Sequence, residues 1–75
     1  MIIRNIRIPK MGCILEDIKD CFGNPIIVDH DSINKKYYFI YKVNTLYITC
    51  IIKNNLLISI IVKENNKILY KKHLL

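Results

Sequence analysis

Apolar residues alternate with a period of two from Tyr37 to Tyr70, and polar pairs or quartets interrupt the alternation at Asn44-Thr45, Asn54-Asn55 and Glu64-Asn65-Asn66-Lys67. Successive side chains of a β-strand point to opposite faces, and Asn tolerates the positive φ that tight hairpin turns require. The pattern therefore predicts an antiparallel meander of four strands.

The position of the first turn predicts which residues face each other. A two-residue turn at Asn44-Thr45 sets Val43 opposite Leu46, and the same register pairs Tyr41 with Ile48, Phe39 with Cys50 and Tyr37 with Ile52. One face of this hairpin is then wholly apolar.

The opposite face is expected to be apolar as well. It carries Tyr38, Ile40, Tyr47 and Ile51, and a two-residue turn at Asn54-Asn55 is expected to add Leu56, Ile58, Ile60 and Val62. A sheet with two apolar faces needs cover on both, either from a partner or by curling into a small barrel.

The residues before the meander predict a strand, a helix and a second strand. Met1 to Ile8 is typical of a strand ended by Pro9. Met11 to Phe22 has its apolar residues on one helical stripe, and Gly23-Asn24-Pro25 is a stop signal. Pro25 to His30 predicts a short strand that leads into a polar connection.

These elements favour an α+β fold in a single small domain spanning residues 1–75. We expect one short helix packed on a mainly antiparallel sheet of five or six strands, in the order β-α-β followed by the meander. A domain of this size has little room for more than one sheet and one helix.

Composition changes this picture in two ways. The chain is 52% hydrophobic with a net charge of +6, and Ile, Lys, Asn and Tyr supply 40 of its 75 residues. These residues have AT-rich codons, which indicates an AT-rich genome such as that of a phage or another mobile element.

Because Met1 to Ile8 lacks the features of a signal peptide, we expect a cytoplasmic protein, in the host cytoplasm if phage-encoded. Lys53 and Asn54-Asn55 interrupt the apolar stretch from Val43 to Val62, so no membrane span is expected.

Candidate catalytic and metal-binding residues are few. Cys13, Cys21 and Cys50 lack the paired spacing of a zinc site, so we expect no metal and no cofactor. Cys21 and Cys50 are interpreted as core residues and Cys13 as a free thiol on the polar face of the helix. Asp29-His30-Asp31 is an acid and histidine cluster, but neighbouring side chains on a strand alternate faces, so His30 should point away from both carboxylates.

The basic residues allow a nucleic-acid interpretation. Lys36 and Lys53 should lie directly opposite each other, which is repulsive without an anion or water between them. Arg4, Arg7 and Lys10 crowd the first strand, and the segment ends in Lys71-Lys72-His73 before two leucines. Such charges could engage phosphates, but a solvated rim explains them equally well.

The pattern from Leu15 to Lys67 resembles small bacterial toxin nucleases of the mRNA-interferase and barnase-like superfamily. The likeness consists of the helix, Gly23-Asn24-Pro25-Ile26-Ile27, Asp29, Tyr37-Tyr38-Phe39 and three apolar strands. It implies RNA cleavage by acid and base chemistry on the sheet. No His precedes the helix, and Ile60-Ile61-Val62-Lys63-Glu64 stands where similar proteins place Thr and Tyr. The resemblance therefore implies a binding-only relative without the catalytic residues.

These observations favour a non-enzymatic inhibitor of a phage or other mobile element, of the anti-CRISPR or antitoxin type, which occludes a host protein or nucleoprotein. The expected binding face comprises Tyr38, Ile40, Tyr47, Ile51, Ile58 and Ile60, with a basic rim of Lys36, Lys42, Lys53, Arg4 and Arg7. An RNA-binding protein or toxin-like ribonuclease, and a homodimeric structural protein, are the alternatives.

Overall fold

A computed structural model describes residues 1–74 and contains one helix and two antiparallel sheets within that range. The elements are β1 (Ile2–Ile3), β2 (Ile6–Arg7), α1 (Leu15–Phe22), β3 (Ile27–Asp31), β4 (Lys36–Val43), β5 (Leu46–Lys53), β6 (Leu56–Glu64) and β7 (Lys67–His73). The small sheet pairs β1 with β2, and the large sheet has the order β3-β4-β5-β6-β7. An α+β class with a mainly antiparallel sheet describes this arrangement in outline.

The four-strand meander is confirmed, and so is the register of its first hairpin. Val43 faces Leu46, Phe39 faces Cys50, and Lys36 faces Lys53. The turns follow from Asn, since Asn44, Asn54-Asn55 and Asn65-Asn66 all adopt positive φ between 51° and 66°. That left-handed region is the one two-residue hairpins require.

The prediction of one strand from Met1 to Ile8 is wrong. These residues form a separate hairpin that turns at Arg4 and Asn5, with φ of 50° and 64°, so the large sheet has five strands and not six. The Glu64 carboxylate holds the turn, because it accepts hydrogen bonds from Arg4 at 3.1 and 3.3 Å and from the Thr45 hydroxyl. The Thr45 bond, then the Arg4 bonds, lower the pKa of Glu64.

The helix is shorter than predicted and begins at Leu15. Residues just before it pair with the start of β6 instead: the Gly12 N–H donates to the Leu57 carbonyl at 2.8 Å, and the Leu57 N–H donates to the Cys13 carbonyl at 2.9 Å. Cys13 therefore lies in this paired segment and not on the polar face of a helix. The helix ends at Phe22 before Gly23, as the sequence predicts, and Gly23 has a φ of 76°.

One hydrophobic cluster lies on a single face of the large sheet, which we call the inner face. The buried strand residues of this face are Tyr41, Leu46, Ile48, Cys50, Ile52, Leu57, Ile60 and Val62. Ile6 and Ile8 of the N-terminal segment and Ile18 of α1 belong to the same cluster. Phe22 of α1 also touches Tyr41, with ring centroids 5.3 Å apart.

A β-bulge on β6 overturns part of the predicted register. Lys53 pairs with Leu56 and Ile52 with Leu57, as a two-residue turn requires, but Ile51 then pairs with Ser59. Ile58 is left without an opposite residue, and every later side chain of β6 changes face. Ile60 and Val62 consequently lie on the inner face, in the core, and the prediction that they line the opposite face is wrong.

Candidate binding face

The second face of the large sheet, which we call the outer face, has no layer of described residues over it. Strand pairing assigns its members: Ile27, Asp29 and Asp31 from β3, Lys36, Tyr38, Ile40 and Lys42 from β4, Tyr47, Thr49, Ile51 and Lys53 from β5, Leu56, Ser59, Ile61 and Lys63 from β6, and Ile68, Lys71 and His73 from β7. None of the residues that form the hydrophobic cluster belongs to this set.

The centre of the outer face is aliphatic. Ile40, Thr49, Ile51 and Ile61 sit on three adjacent strands and are partly buried by their neighbours alone. Ser59 beside them is buried, and its hydroxyl donates to the Lys72 carbonyl at 3.2 Å. The centre thus presents an apolar surface with little polar functionality.

Lysines surround this centre. Lys36 and Lys53 face each other at one end of the sheet, and Lys42 lies at the other end, where its ammonium is 5.7 Å from the centroid of the Tyr47 ring. Lys63 and Lys71 extend the ring of charge on the side of β6 and β7. Two carboxylates, those of Asp29 and Asp31, lie at the β3 edge, so the outer face is basic on balance.

Four of the predicted binding residues lie together. Tyr38, Ile40, Tyr47 and Ile51 share the outer face, with Lys36, Lys42 and Lys53 at its margin. Ile58 lies at the bulge, and Ile60, only 1% exposed, belongs to the core.

The two predicted arginines of the rim lie elsewhere. Arg4 and Arg7 belong to the N-terminal hairpin, whose Ile6 packs in the inner-face cluster, and Arg4 pairs with Glu64. They do not join the lysines of the outer face.

Sequence reasoning missed Thr49, Ile61, Lys63 and Lys71 as members of this face. Thr49 follows from simple alternation along β5. The other three depend on the bulges at Ile58 and at Leu69, the residue that β7 leaves unpaired against β6. Apart from Ser59, the stretch from Leu56 to Val62 is apolar on both alternating sets, so it carries little local signal for a shift.

The Asp29-His30-Asp31 cluster does not form a catalytic arrangement. Asp29 and Asp31 share the outer face, whereas His30 lies on the inner face and stacks on Tyr37 with ring centroids 4.3 Å apart and planes within 13°. The Asp31 carboxylate accepts hydrogen bonds from Ile33 and Asn34 of the following turn, and these bonds, the Asn34 side chain first, lower its pKa. Asp31 therefore caps a turn.

The cysteines are separated from this face. Cys50 is fully buried in the core as predicted, while Cys13 and Cys21 are partly buried and line a groove of about 320 Å³ beside the N-terminal segment. Burial, then Asp17 and Cys21, raise the pKa of the Cys13 thiol, so it is not an activated nucleophile. Within residues 1–74, no group of three His, Cys, Asp or Glu side chains is placed to hold a metal ion. No helix in this range is long and apolar enough to cross a membrane.

Comparison with known proteins found no matching family model, no matching curated protein and no matching solved structure. The identification of the outer face as a candidate binding site therefore depends on its geometry alone.

Proposed function

We propose that this protein is a non-enzymatic binding protein that holds another protein against its outer face. The observation that carries the proposal is an uncovered sheet face with an aliphatic centre at Ile40, Ile51 and Ile61 and five lysines around it. An apolar centre with a charged rim is the usual anatomy of a protein interface. The partner we infer has an apolar patch of matching size surrounded by carboxylates.

The dimensions of the molecule suit such an interface. Its two longest extents are 33 and 23 Å, which limit the outer face to the area that one partner contributes to a standard interface, about 800 Å². The whole face would have to be used, so the proposed mechanism is occlusion of the partner's surface.

A protein partner fits the outer face better than RNA. Unpaired bases are held by stacking on aromatic rings or guanidinium planes. The aromatic rings of this face are those of Tyr38, Tyr47 and His73, and they lie apart. Tyr38 and Tyr47 are at opposite ends of the hairpin, since Tyr38 faces Ile51 while Tyr47 faces Lys42, and His73 lies on β7, three strands from Tyr38. The β-branched side chains between them offer no planar surface.

A second copy of the chain fits the charge of the face less well. Two outer faces packed together would bring two lysine rims into one interface, and the chain as a whole carries a net charge of +6. Like charges at an interface disfavour association. An acidic partner turns the same lysines into an attraction.

Occlusion by a small basic protein is how an inhibitor encoded by a phage or other mobile element would act, including one of the anti-CRISPR or antitoxin type. The resemblance to toxin nucleases would in this proposal be that of a relative that binds without cutting. Ile60 and Val62 are consistent with that part of the proposal, because they are buried apolar residues within the region, Ile60 to Glu64, where similar proteins tend to place Thr and Tyr.

The test is retention of a bacterial protein on the immobilised full chain. We expect the wild type to retain an acidic protein and the Ile51→Lys, Ile61→Lys double variant to lose it. Both positions are partly exposed, so the variant should keep the fold, as far-ultraviolet circular dichroism would show. Ile33→Lys is the matched control: it adds the same charge at a side chain that is 89% exposed in the β3–β4 turn, and it should retain the protein.

Light scattering on a size-exclusion column separates the alternatives. A stable dimer of the wild type that the double variant converts to a monomer would replace the proposal with homodimerisation. Nucleic acid that elutes with the protein and leaves in high salt would replace it with RNA binding. Unfolding of the double variant would show that the outer face is interior and would overturn the proposal outright.

A further inference from the structure

The two edges of the large sheet differ in how they are protected. The β7 edge carries Lys67, Lys71 and Lys72 and has a bulge at Leu69. The β3 edge has a regular ladder with β4 and no lysine, and its Ile27 and Val28 are 51% and 57% exposed. Lysines and bulges are the common devices that prevent an edge strand from pairing with another chain. The β3 edge lacks both.

Strand pairing identifies the backbone groups that β3 leaves open. The two-residue turn at Asn44-Thr45 makes Val43 and Leu46 a hydrogen-bonded pair, so alternate residues of β4, at Lys36, Tyr38 and Ile40, direct their N–H and C=O groups toward β3. Their partners Asp31, Asp29 and Ile27 therefore direct theirs toward β4. Val28 and His30 then direct theirs away from the sheet. The His30 N–H agrees with this assignment, because it donates to the Asp29 carboxylate at 2.9 Å.

The Asp29 carboxylate thus occupies the place that a strand carbonyl would take. A strand added beside β3 would accept the His30 N–H in a ladder hydrogen bond and release the carboxylate of Asp29. Asp29 and Asp31 share one face of β3. The carboxylates of Asp29 and Asp31 would then lie beside those side chains of the added strand that point to the same face of the sheet.

The geometry points to β3 as a site of β-strand addition for an extended basic segment of a partner protein. In such a complex the incoming backbone pairs with Val28 and His30, while its Lys or Arg side chains lie beside Asp29 and Asp31. Main-chain hydrogen bonds would supply affinity, and the alternating side chains would supply specificity. The site shares the carboxylates of Asp29 and Asp31 with the outer face. Its main-chain contacts lie at the open edge of β3, so the inference does not depend on the outer-face contact proposed above.

Charge favours this occupant over a second copy. An antiparallel pair of two β3 strands centred on Asp29 would set the two Asp29 carboxylates opposite each other and collect four carboxylates in one pair of strands. Like charges directly opposite each other destabilise a sheet. A basic strand would instead place positive charges beside the carboxylates, and this interaction is attractive.

The test is a nuclear magnetic resonance titration of the ¹⁵N-labelled full chain with an eight-residue capped peptide of alternating Lys and Val. We expect the amide signals of Val28 and His30 to shift and their hydrogen exchange to slow as peptide is added. A peptide of alternating Glu and Val should leave both signals unchanged. Asp29→Asn keeps an acceptor for the His30 N–H but removes the charge, and it should weaken peptide affinity about two- to fivefold.

Two proline variants test the backbone requirement. Proline is tolerated on an edge strand where its nitrogen faces solvent. Val28→Pro should therefore keep the fold and abolish peptide binding, whereas Lys71→Pro on the β7 edge should leave binding intact. Val28→Lys is a second variant that keeps the N–H but repels the peptide, and it should also prevent binding.

Three results would overturn the inference. One is an absence of shifts at Val28 and His30 with millimolar peptide. The second is equal binding by Val28→Lys. The third is loss of peptide binding in the Ile51→Lys, Ile61→Lys double variant, which would move the contact to the outer face.

Discussion

The inner and outer faces of the large sheet are built from the same strands, yet only one becomes the core. On the inner face, Leu46, Ile48 and Val62 are fully buried in the cluster to which the N-terminal segment and α1 also contribute. On the outer face, Tyr47, Leu56 and Ile68 remain 46%, 38% and 55% exposed. Both faces are apolar in sequence, so hydrophobicity alone does not decide which one is covered.

Charge distinguishes the two faces more clearly. Every strand from β4 to β7 places at least one lysine on the outer face, whereas inner-face lysines occur on β7 at Lys67 and Lys72. Lysine ammonium groups can reach solvent from the margin of a face that also carries isoleucine. The outer face can therefore stay exposed in the free protein and still present an apolar centre to a partner.

The largest expected effect comes from adjacent residues of β6 that face opposite ways. Ile60→Lys places a charge in the core, where Ile60 is 1% exposed, and should cost at least about 4 kcal/mol of unfolding free energy. Ile61→Lys adds the same group on the outer face and should change that free energy by less than about 1 kcal/mol. Urea denaturation followed by circular dichroism measures both. Similar costs for the two variants would contradict the bulge and the assignment of faces.

The hairpin registers could be predicted from sequence because turn chemistry determines them. Asn44-Thr45 and Asn54-Asn55 lie between strands of clear alternation, and each turn fixes the pairs that follow until the ladder is interrupted. This is why Tyr38, Ile40, Tyr47 and Ile51 were assigned to one face.

The bulge at Ile58 could not be predicted, because the backbone groups that bond to the chain around it come from residues distant in sequence. Leu57 pairs through its backbone with Gly12 and Cys13, and the Ile58 carbonyl accepts the Leu74 N–H at 2.7 Å. The N-terminal hairpin was missed for a similar reason. A positive φ is uncommon for arginine, and Arg4 adopts it in a turn that is held by Glu64, 60 residues away.

A smaller effect on the unfolding free energy is expected at high pH, because two ionisable groups of the inner face have raised pKa values. Burial, followed by Cys13 and Cys21, raises the pKa of Cys50 from 9.0 to about 12. Burial, followed by Cys50, raises the pKa of Tyr41 from 10.0 to about 12, and among the described residues no hydrogen-bond partner is found for the Tyr41 hydroxyl.

The sign of the pH effect follows from these shifts. Unfolded Cys50 and Tyr41 release their protons at lower pH than the folded forms, so the unfolded state is favoured as pH rises. The unfolding free energy should be nearly constant between about pH 6 and pH 8. It should begin to fall as Cys50 of the unfolded chain titrates near pH 9, and the loss should reach about 2–4 kcal/mol toward pH 12. Urea denaturation in the presence of a reductant measures this dependence. Cys50→Ala should reduce the slope that begins at pH 9, and an unchanged slope would show that Cys50 is accessible to water.

The smallest expected effect is a reversal of one outer-face charge. Lys36 and Lys53 are directly opposite each other, so Lys53→Glu replaces a repulsive cross-strand pair with an attractive one. We expect the unfolding free energy to rise by about 0.2–1 kcal/mol in low salt and the gain to shrink as salt is added. The same variant should weaken binding of an acidic partner. If the lysines serve only solubility, the variant should be more stable and should bind the partner as tightly as the wild type. Measuring unfolding free energy and partner binding on this one variant therefore distinguishes a functional rim from a solvated one.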